Sequence, residues 1–243
     1  LVYTYLPTSA DKTYFLPPTL TNGNVHGIIV LNVYNERLLR LLAETQIPKV
    51  FLDTSSLVAP DELNGDLLLM ESRTSVRRIT SHLLEQGRTL PGFIGDISYA
   101  QSNRERYEGF CQALADAGKK VDSSLCLTTP LGIDTYREEI DTFLSSLSRM
   151  PDAFVCASDY VACILMQLLE KRGLRVPEDV AVSGFDNNTE DLLAEHLTTV
   201  QVFNEELGAR LALQILYRIK YPNTPYEITY LGTNVLYRDS TGD

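Results

Sequence analysis

The chain has no run of apolar residues approaching the roughly 20 that a membrane-spanning helix needs, and no secretory signal at its start. It begins without Met, directly on the strand-like Leu1-Val2-Tyr3-Thr4-Tyr5-Leu6, so the lack of a leader decides nothing about export. Excess positive charge is also missing. Lys and Arg total 21 against 32 Asp and Glu, a formal charge of −11, which argues against this segment gripping a phosphate backbone itself. The four cysteines, Cys111, Cys126, Cys156 and Cys163, show neither C-x-x-C nor zinc-ligand spacing. Buried free thiols in a reduced, cytoplasmic protein are the expected reading. There is no G-x-G-x-x-G and no Walker loop. His26, His82 and His196 lie in unrelated contexts, so no Ser-His-Asp, Cys-His or metal cluster can be assembled around them. Internal repeats, low-complexity tracts and long linkers are lacking too.

What is there is an ordinary globular composition. Of 243 residues, 44% are hydrophobic and 22% charged, enough for one large domain or two small lobes with a sizeable core. Strand-like and helix-like stretches alternate throughout. Val25–Leu31, Val50–Asp53, Phe93–Asp96 and Ala153–Ala157 read as strands, and Asn64–Glu71 allows another. Between and after them, Glu36–Glu44, Thr74–Gln86, Arg104–Ala117, Thr135–Leu147, Tyr160–Arg172 and Glu205–Ile219 place apolar residues at helical spacing. Glu227–Tyr237 reads as a last strand region. Strands separated by helices of this length predict βαβ units and parallel sheets, an α/β fold.

The most informative stretch runs from Val176 to Asp186. Pro177 and Glu178-Asp179 mark the end of a helix, and Val180-Ala181-Val182 is a buried strand. That strand opens through Gly184-Phe185-Asp186 into a polar turn, Asn187-Asn188-Thr189. Ligands of open α/β sheets sit at the carboxyl ends of strands, so Asp186 stands where a carboxylate can meet a small molecule. As a lone residue it reads equally as a loop Asp capping the next turn. Arg106, in the first turn of the helix after Phe93–Asp96, is a second candidate; the alternative is a solvated Arg among Arg104, Glu105 and Glu108. Ser158-Asp159, after strand Ala153–Ala157, is a third, although Ser and Asp are favoured helix N-caps. An Arg fork and a carboxylate at one sheet end suit adjacent hydroxyls, as on a sugar, or a nucleobase edge.

Several segments then match one family in order. Arg106-Tyr107-Glu108-Gly109-Phe110 resembles its Arg-x-x-Gly-Phe. The stretch from Pro151-Asp152-Ala153 to Ala157-Ser158-Asp159 resembles its Pro-Asp-Ala-(apolar)-Ala-Asn-Asp. Gly173 through Asp186 resembles Gly-x-x-Val-Pro-Glu-Asp-Val followed by Gly-Phe-Asp. Leu197-Thr198-Thr199-Val200, Glu206-Leu207-Gly208 and Tyr237-Arg238-Asp239-Ser240-Thr241 complete the set. Together they resemble the LacI/GalR family of bacterial transcription regulators.

The resemblance implies two Rossmann-like lobes of the periplasmic-binding-protein type I kind, joined by three crossovers, with an effector bound between them. One lobe is expected over 1–96 plus 203–226, the other over 97–202 plus 227–243. The crossovers then fall near Asp96-Ile97, Val200–Val202 and Tyr226-Glu227. Leu1–Leu6 is expected to be the second strand of the first lobe, with the first βα unit and a helix-turn-helix DNA-binding domain absent from this sequence. The implied effector-binding residues are Arg106, Asp186, Ser158, Asp159 and Phe185, with no cofactor, no metal, no catalysis and no membrane. The implied partners are a sugar-like effector, a second copy of the chain, and operator DNA through the absent domain. Three departures stand out: Ser158 where many members have Asn, Met70-Glu71 in place of Asp-Asn, and Gly87-Arg88 in place of Gly-His. A periplasmic sugar-binding protein of a transport system is the alternative, and an enzyme on an α/β fold the least favoured class.

Overall fold

Two four-stranded parallel sheets organise the chain in the computed structural model, which describes residues 1–132, 134–188 and 195–242. In chain order the first elements are β1 (Ile28–Leu31), α1 (Glu36–Glu44), β2 (Lys49–Leu52), β3 (Asp66–Met70), α2 (Arg73–Glu85), β4 (Pro91–Ile94) and α3 (Gln101–Asp116). They are followed by β5 (Cys126–Leu127), α4 (Tyr136–Ser146), β6 (Ala153–Cys156), α5 (Asp159–Lys171) and β7 (Ala181–Ser183). The last are β8 (Thr199–Gln201), α6 (Asn204–Lys220), β9 (Ile228–Leu231) and β10 (Asn234–Leu236). The expected α/β fold with parallel sheets flanked by helices is borne out.

The chain divides into two units. The first comprises Leu1–Met70, Tyr99–Ser102 and Phe203–Gly232. Its sheet runs β1-β2-β3-β9, and β1 has no strand on its outer side among the described residues. Val50, Phe51, Leu67 and Leu68 are almost wholly enclosed, the pattern of parallel strands covered on both faces. In α1, Asn35 caps the start by accepting from the Leu38 N–H at 3.2 Å, and Leu38, Leu39 and Leu42 turn inward. Helix α6 buries Leu207, Leu211, Gln214, Ile215 and Arg218 at three- and four-residue spacing.

Two of those buried α6 residues are polar, and both serve Asp66. Arg218 donates through Nη2 to Asp66 Oδ1 at 2.5 Å and through Nε to Oδ2 at 3.0 Å. Each side chain of the pair is only 2% exposed. Gln214 Nε2 and the Glu227 N–H both reach Asp66 at 2.9 Å, while Arg218 spends its remaining donors on the Thr224 and Pro225 carbonyls. The buried charges are thus paired and fully hydrogen-bonded, the condition under which such a pair is tolerated.

The second unit comprises Glu71–Ser98, Asn103–Val202 and Thr233–Asp243. Its sheet runs β5-β4-β6-β7, all parallel. Phe154, Ile94 and Val182 from the strands meet Ile140 of α4 and Leu165 and Leu169 of α5 in one core. An antiparallel ribbon of β8 and β10 completes this unit.

The lobe limits read from the sequence need correction. The first boundary lies after Met70, not near Asp96, because β4 pairs with β5 and β6 and so belongs with the second sheet. Residues Tyr99–Ser102 return to the first unit, where Gln101 N–H meets Thr54 O at 2.8 Å and Ser102 Oγ meets Asp53 Oδ2 at 2.6 Å. The last boundary lies after Gly232, not Tyr226, because Glu227–Tyr237 holds two strands with different partners: β9 beside β3, and β10 beside β8. Leu1–Leu6 is not a strand. Its alternation suits one, but no strand pairs with it among the described residues, and Leu1, Val2, Tyr3 and Tyr5 are exposed.

The Asp66–Arg218 pair yields a stability prediction. Arg218→Ala leaves a buried carboxylate uncompensated and should cost about 3–5 kcal/mol in urea unfolding. A loss well under 1 kcal/mol would show that the first unit does not depend on it.

Candidate functional site

Arg106 is a buried residue, not a solvated one. It lies in the second turn of α3 and is 5% exposed. Its Nη1 donates to the Ala157 carbonyl just past β6 and reaches Asn103 Oδ1 at 3.5 Å. Asn103 is itself anchored, its Nδ2 donating to Asp96 O at 3.0 Å. The guanidinium sits over Phe185, with Cζ 3.6 Å from the ring centroid, a cation–π contact between two buried side chains. Nη2 then stands 3.6 Å from Asp186 Oδ1. That is close enough for strong attraction and too long for a direct hydrogen bond. Arg106 Nε has no acceptor.

Asp186 is presented by an unusual backbone. Its φ is 110° and that of Asn187 is 52°, a left-handed stretch that side chains other than glycine seldom occupy. Backbone bonds hold it there: Gly184 N–H to Thr198 O at 2.9 Å and Asp186 N–H to Val200 O at 3.0 Å. The side chain remains 43% exposed, whereas its Arg106 partner is 6% exposed. Burial pushes the Asp186 carboxyl above its ordinary value, and the Arg106 charge opposes the rise. Since water still reaches the side chain, the push from burial is partial and the guanidinium favours the carboxylate.

The other expected site residues surround this pair. Phe185 is fully buried and serves as the platform under Arg106. Ser158 caps α5, its Oγ accepting from the Val161 N–H at 3.3 Å. Asp159 is 2% exposed, and both of its oxygens are engaged, by Thr199 Oγ at 2.6 Å and by the Asn188 N–H at 2.7 Å. Burial pushes its carboxyl up to about 6, against the pull of those hydrogen bonds and of Arg238. Thr189, the last residue of the expected polar turn, lies outside the described residues.

Four residues of this neighbourhood, Asn187, Thr199, Gln201 and Arg238, were not among the expected site residues. Asn187 donates through Nδ2 to Gln201 Oε1 at 2.5 Å and accepts from Arg238 Nη2 at 2.8 Å, while its N–H meets Thr199 Oγ1 at 3.2 Å. The signal for Thr199 and Arg238 lay inside two quoted segments, Leu197–Val200 and Tyr237–Thr241. These prove to be stapled together: Ser240 Oγ accepts from Thr198 N–H at 2.8 Å, and the Thr198 and Thr241 hydroxyls meet at 2.6 Å. Among the described residues no group of three or more His, Cys, Asp or Glu could hold a metal ion, and no helix is long and apolar enough to cross a membrane.

A carboxylate and a guanidinium 3.6 Å apart can both be reached by one hydroxyl or amide placed between them. Residues 80–241 match the model of the periplasmic binding protein-like domain. The chain belongs to that family. It is 30% identical over 210 residues to the HTH-type transcriptional repressor PurR of Actinobacillus pleuropneumoniae, covering 86% of this chain and 61% of the repressor. It is 29% identical over 225 residues to the PurR of Aliivibrio fischeri, covering 91% of this chain and 66% of the repressor. The chain thus spans just under two thirds of these relatives. Among solved structures, the transcriptional regulator CelR–cellobiose complex superposes with a TM-score of 0.81 at 27% identity, covering 91% of this chain and 68% of that one. A LacI-family regulator from Sanguibacter keddieii gives 0.74 at 25% identity, covering 93% and 80%. The resemblance to LacI/GalR regulators read from the motifs is borne out, with this chain corresponding to their effector-binding core.

The raised Asp159 carboxyl generates a pH prediction. With 3.8 moved to about 6, the folded chain keeps this proton where the unfolded chain has lost it. The contribution of this group to stability therefore grows as pH falls from about 6 towards 4, by up to about 3 kcal/mol, and is absent above 6. Asp159→Asn cannot titrate. Its unfolding free energy, subtracted from that of the wild type at each pH, should give a difference that declines from pH 4 to 6.5. A difference independent of pH would refute the shift.

Proposed function

We propose that this chain is the ligand-sensing and dimerisation core of a cytoplasmic LacI/GalR-type transcription regulator, not an enzyme, and that its effector is a sugar or sugar derivative. The observation that carries the reading is the Arg106–Asp186 pair, which stands 3.6 Å apart at the carboxyl ends of parallel strands with Phe185 fixing the guanidinium. Adjacent hydroxyls fit such a pair, one donating to the carboxylate and one accepting from the guanidinium. The CelR structure, 27% identical, is a cellobiose complex, which supports the sugar class for this chain. Ligand binding would act on operator DNA through a helix-turn-helix domain by favouring one conformation of the core over another. The size of that effect is limited by the ligand's differential affinity for the two states.

Titration calorimetry against cellobiose, other sugars and nucleobases tests the site. Asp186→Asn keeps a side chain that tolerates left-handed backbone, and Arg106→Gln keeps an amide donor. Each removes one charge-assisted contact and should weaken the effector by about tenfold or more. Binding undiminished by both substitutions would place the effector elsewhere. Sedimentation at micromolar concentration tests dimerisation, and a monomer there would remove that part of the reading.

A further inference from the structure

We infer that Asp159 is a positioning residue for the effector site: it holds the 184–188 loop in the left-handed conformation that presents Asp186, and does so without touching ligand. The inference rests on reading Arg106 and Asp186 as the effector grip.

Three tethers run from Asp159 to this loop. Its backbone N–H donates to the Phe185 carbonyl at 2.8 Å. Its Oδ2 accepts from the Asn188 N–H at 2.7 Å. Its Oδ1 accepts from Thr199 Oγ at 2.6 Å, and the same Thr199 oxygen accepts from the Asn187 N–H at 3.2 Å. A threonine hydroxyl has one proton, so this relay has a fixed direction: Asn187 N–H to Thr199 Oγ, then Thr199 O–H to the carboxylate. The acceptor at its end is Asp159 Oδ1. The tethers meet the loop on both sides of Asp186, at 185 and at 187 and 188.

The backbone between them needs that hold. Asp186 and Asn187, with φ of 110° and 52°, occupy a region that persists only where the surroundings over-determine it. Gly184 belongs to the same device. A Cβ there would stand 2.2 Å from Asp159 Oδ1, so the carboxylate fills the space a side chain at 184 would take. The blander account is that an acid in the first turn of α5 simply complements the helix dipole. That account leaves the loop indifferent to the side chain at 159, which separates the two.

Amide hydrogen exchange followed by NMR on the whole chain decides between them and needs no ligand. Asp159→Ala should speed exchange at Asp186, Asn187 and Asn188 by about tenfold or more while α5 and β6 keep their protection. Thr199→Val cuts only the relay and should release Asn187 most; it also serves if Asp159→Ala does not fold. Asp159→Asn, which still offers an oxygen to the Asn188 N–H, should restore protection at 188. Unchanged exchange in the loop, or protection lost evenly across the second unit, would overturn the inference. A parallel titration with cellobiose and nucleobases keeps the two ideas apart. Wild-type protein that binds no probe counts against the effector reading alone, whereas a binding wild type with Asp159→Ala of equal affinity counts against the positioning role.

Discussion

At the carboxyl end of the second sheet two positions, Gly95 and Gly184, have no room for a side chain, and the neighbourhood of Arg106 and Asp186 is built on that closeness. A Cβ at Gly95 would stand 2.2 Å from Ala157 Cβ, and one at Gly184 would stand 2.2 Å from Asp159 Oδ1. Because β4, β6 and β7 end so near one another, the Ala157 carbonyl is available to Arg106 and the Phe185 ring can lie beneath the guanidinium. The same crowding leaves Asp159 almost no solvent, so its carboxylate must be satisfied by Thr199 and Asn188. Close packing here converts three strand ends into one rigid frame in which a single carboxylate, Asp186, remains partly open to water.

Most of the motifs that made the family legible turn out to be structural. Gly109 admits the Arg73 carbonyl, which a Cβ would meet at 2.2 Å, and Phe110 is wholly buried. Asp152 accepts from the Thr89 and Leu90 N–H groups at 2.6 and 2.9 Å, tying the entrance of β4 to that of β6. Asp179 accepts from the Arg175 N–H at 2.8 Å and shapes the turn before β7. Each answers a demand of the local backbone in this chain. Arg106 and Asp186 were legible for a different reason, since each follows a strand in a fold whose ligands sit at that end. Ser158 and Asp159 were legible in the same way, just after β6, and Phe185 through its place in the Gly-Phe-Asp segment.

What the sequence hid has physical causes as well. Met70-Glu71 connects β3 to α2 like any strand-to-helix turn, without proline or glycine, so nothing local reveals that the next strand joins another sheet. That choice is made by pairings across long separations, such as Phe93 beside Val155. β5 is two residues long, too short for any periodicity to register. The bond from Arg238 to Asn187 spans 51 positions, and no property of either residue points to the other.

Asp66 and Arg218 are 152 residues apart in the chain. At a synthesis rate of about 5–20 residues per second, the carboxylate is made roughly 8–30 seconds before its guanidinium. During that interval the strand next to β3 has not been translated, and the edge that will receive β9 is open. The second unit has by then received nearly all of its own sequence. The first unit to begin therefore waits through the synthesis of most of the second with β3 as an open edge, and each unit closes only when its last strand, β9 or β10, has been made.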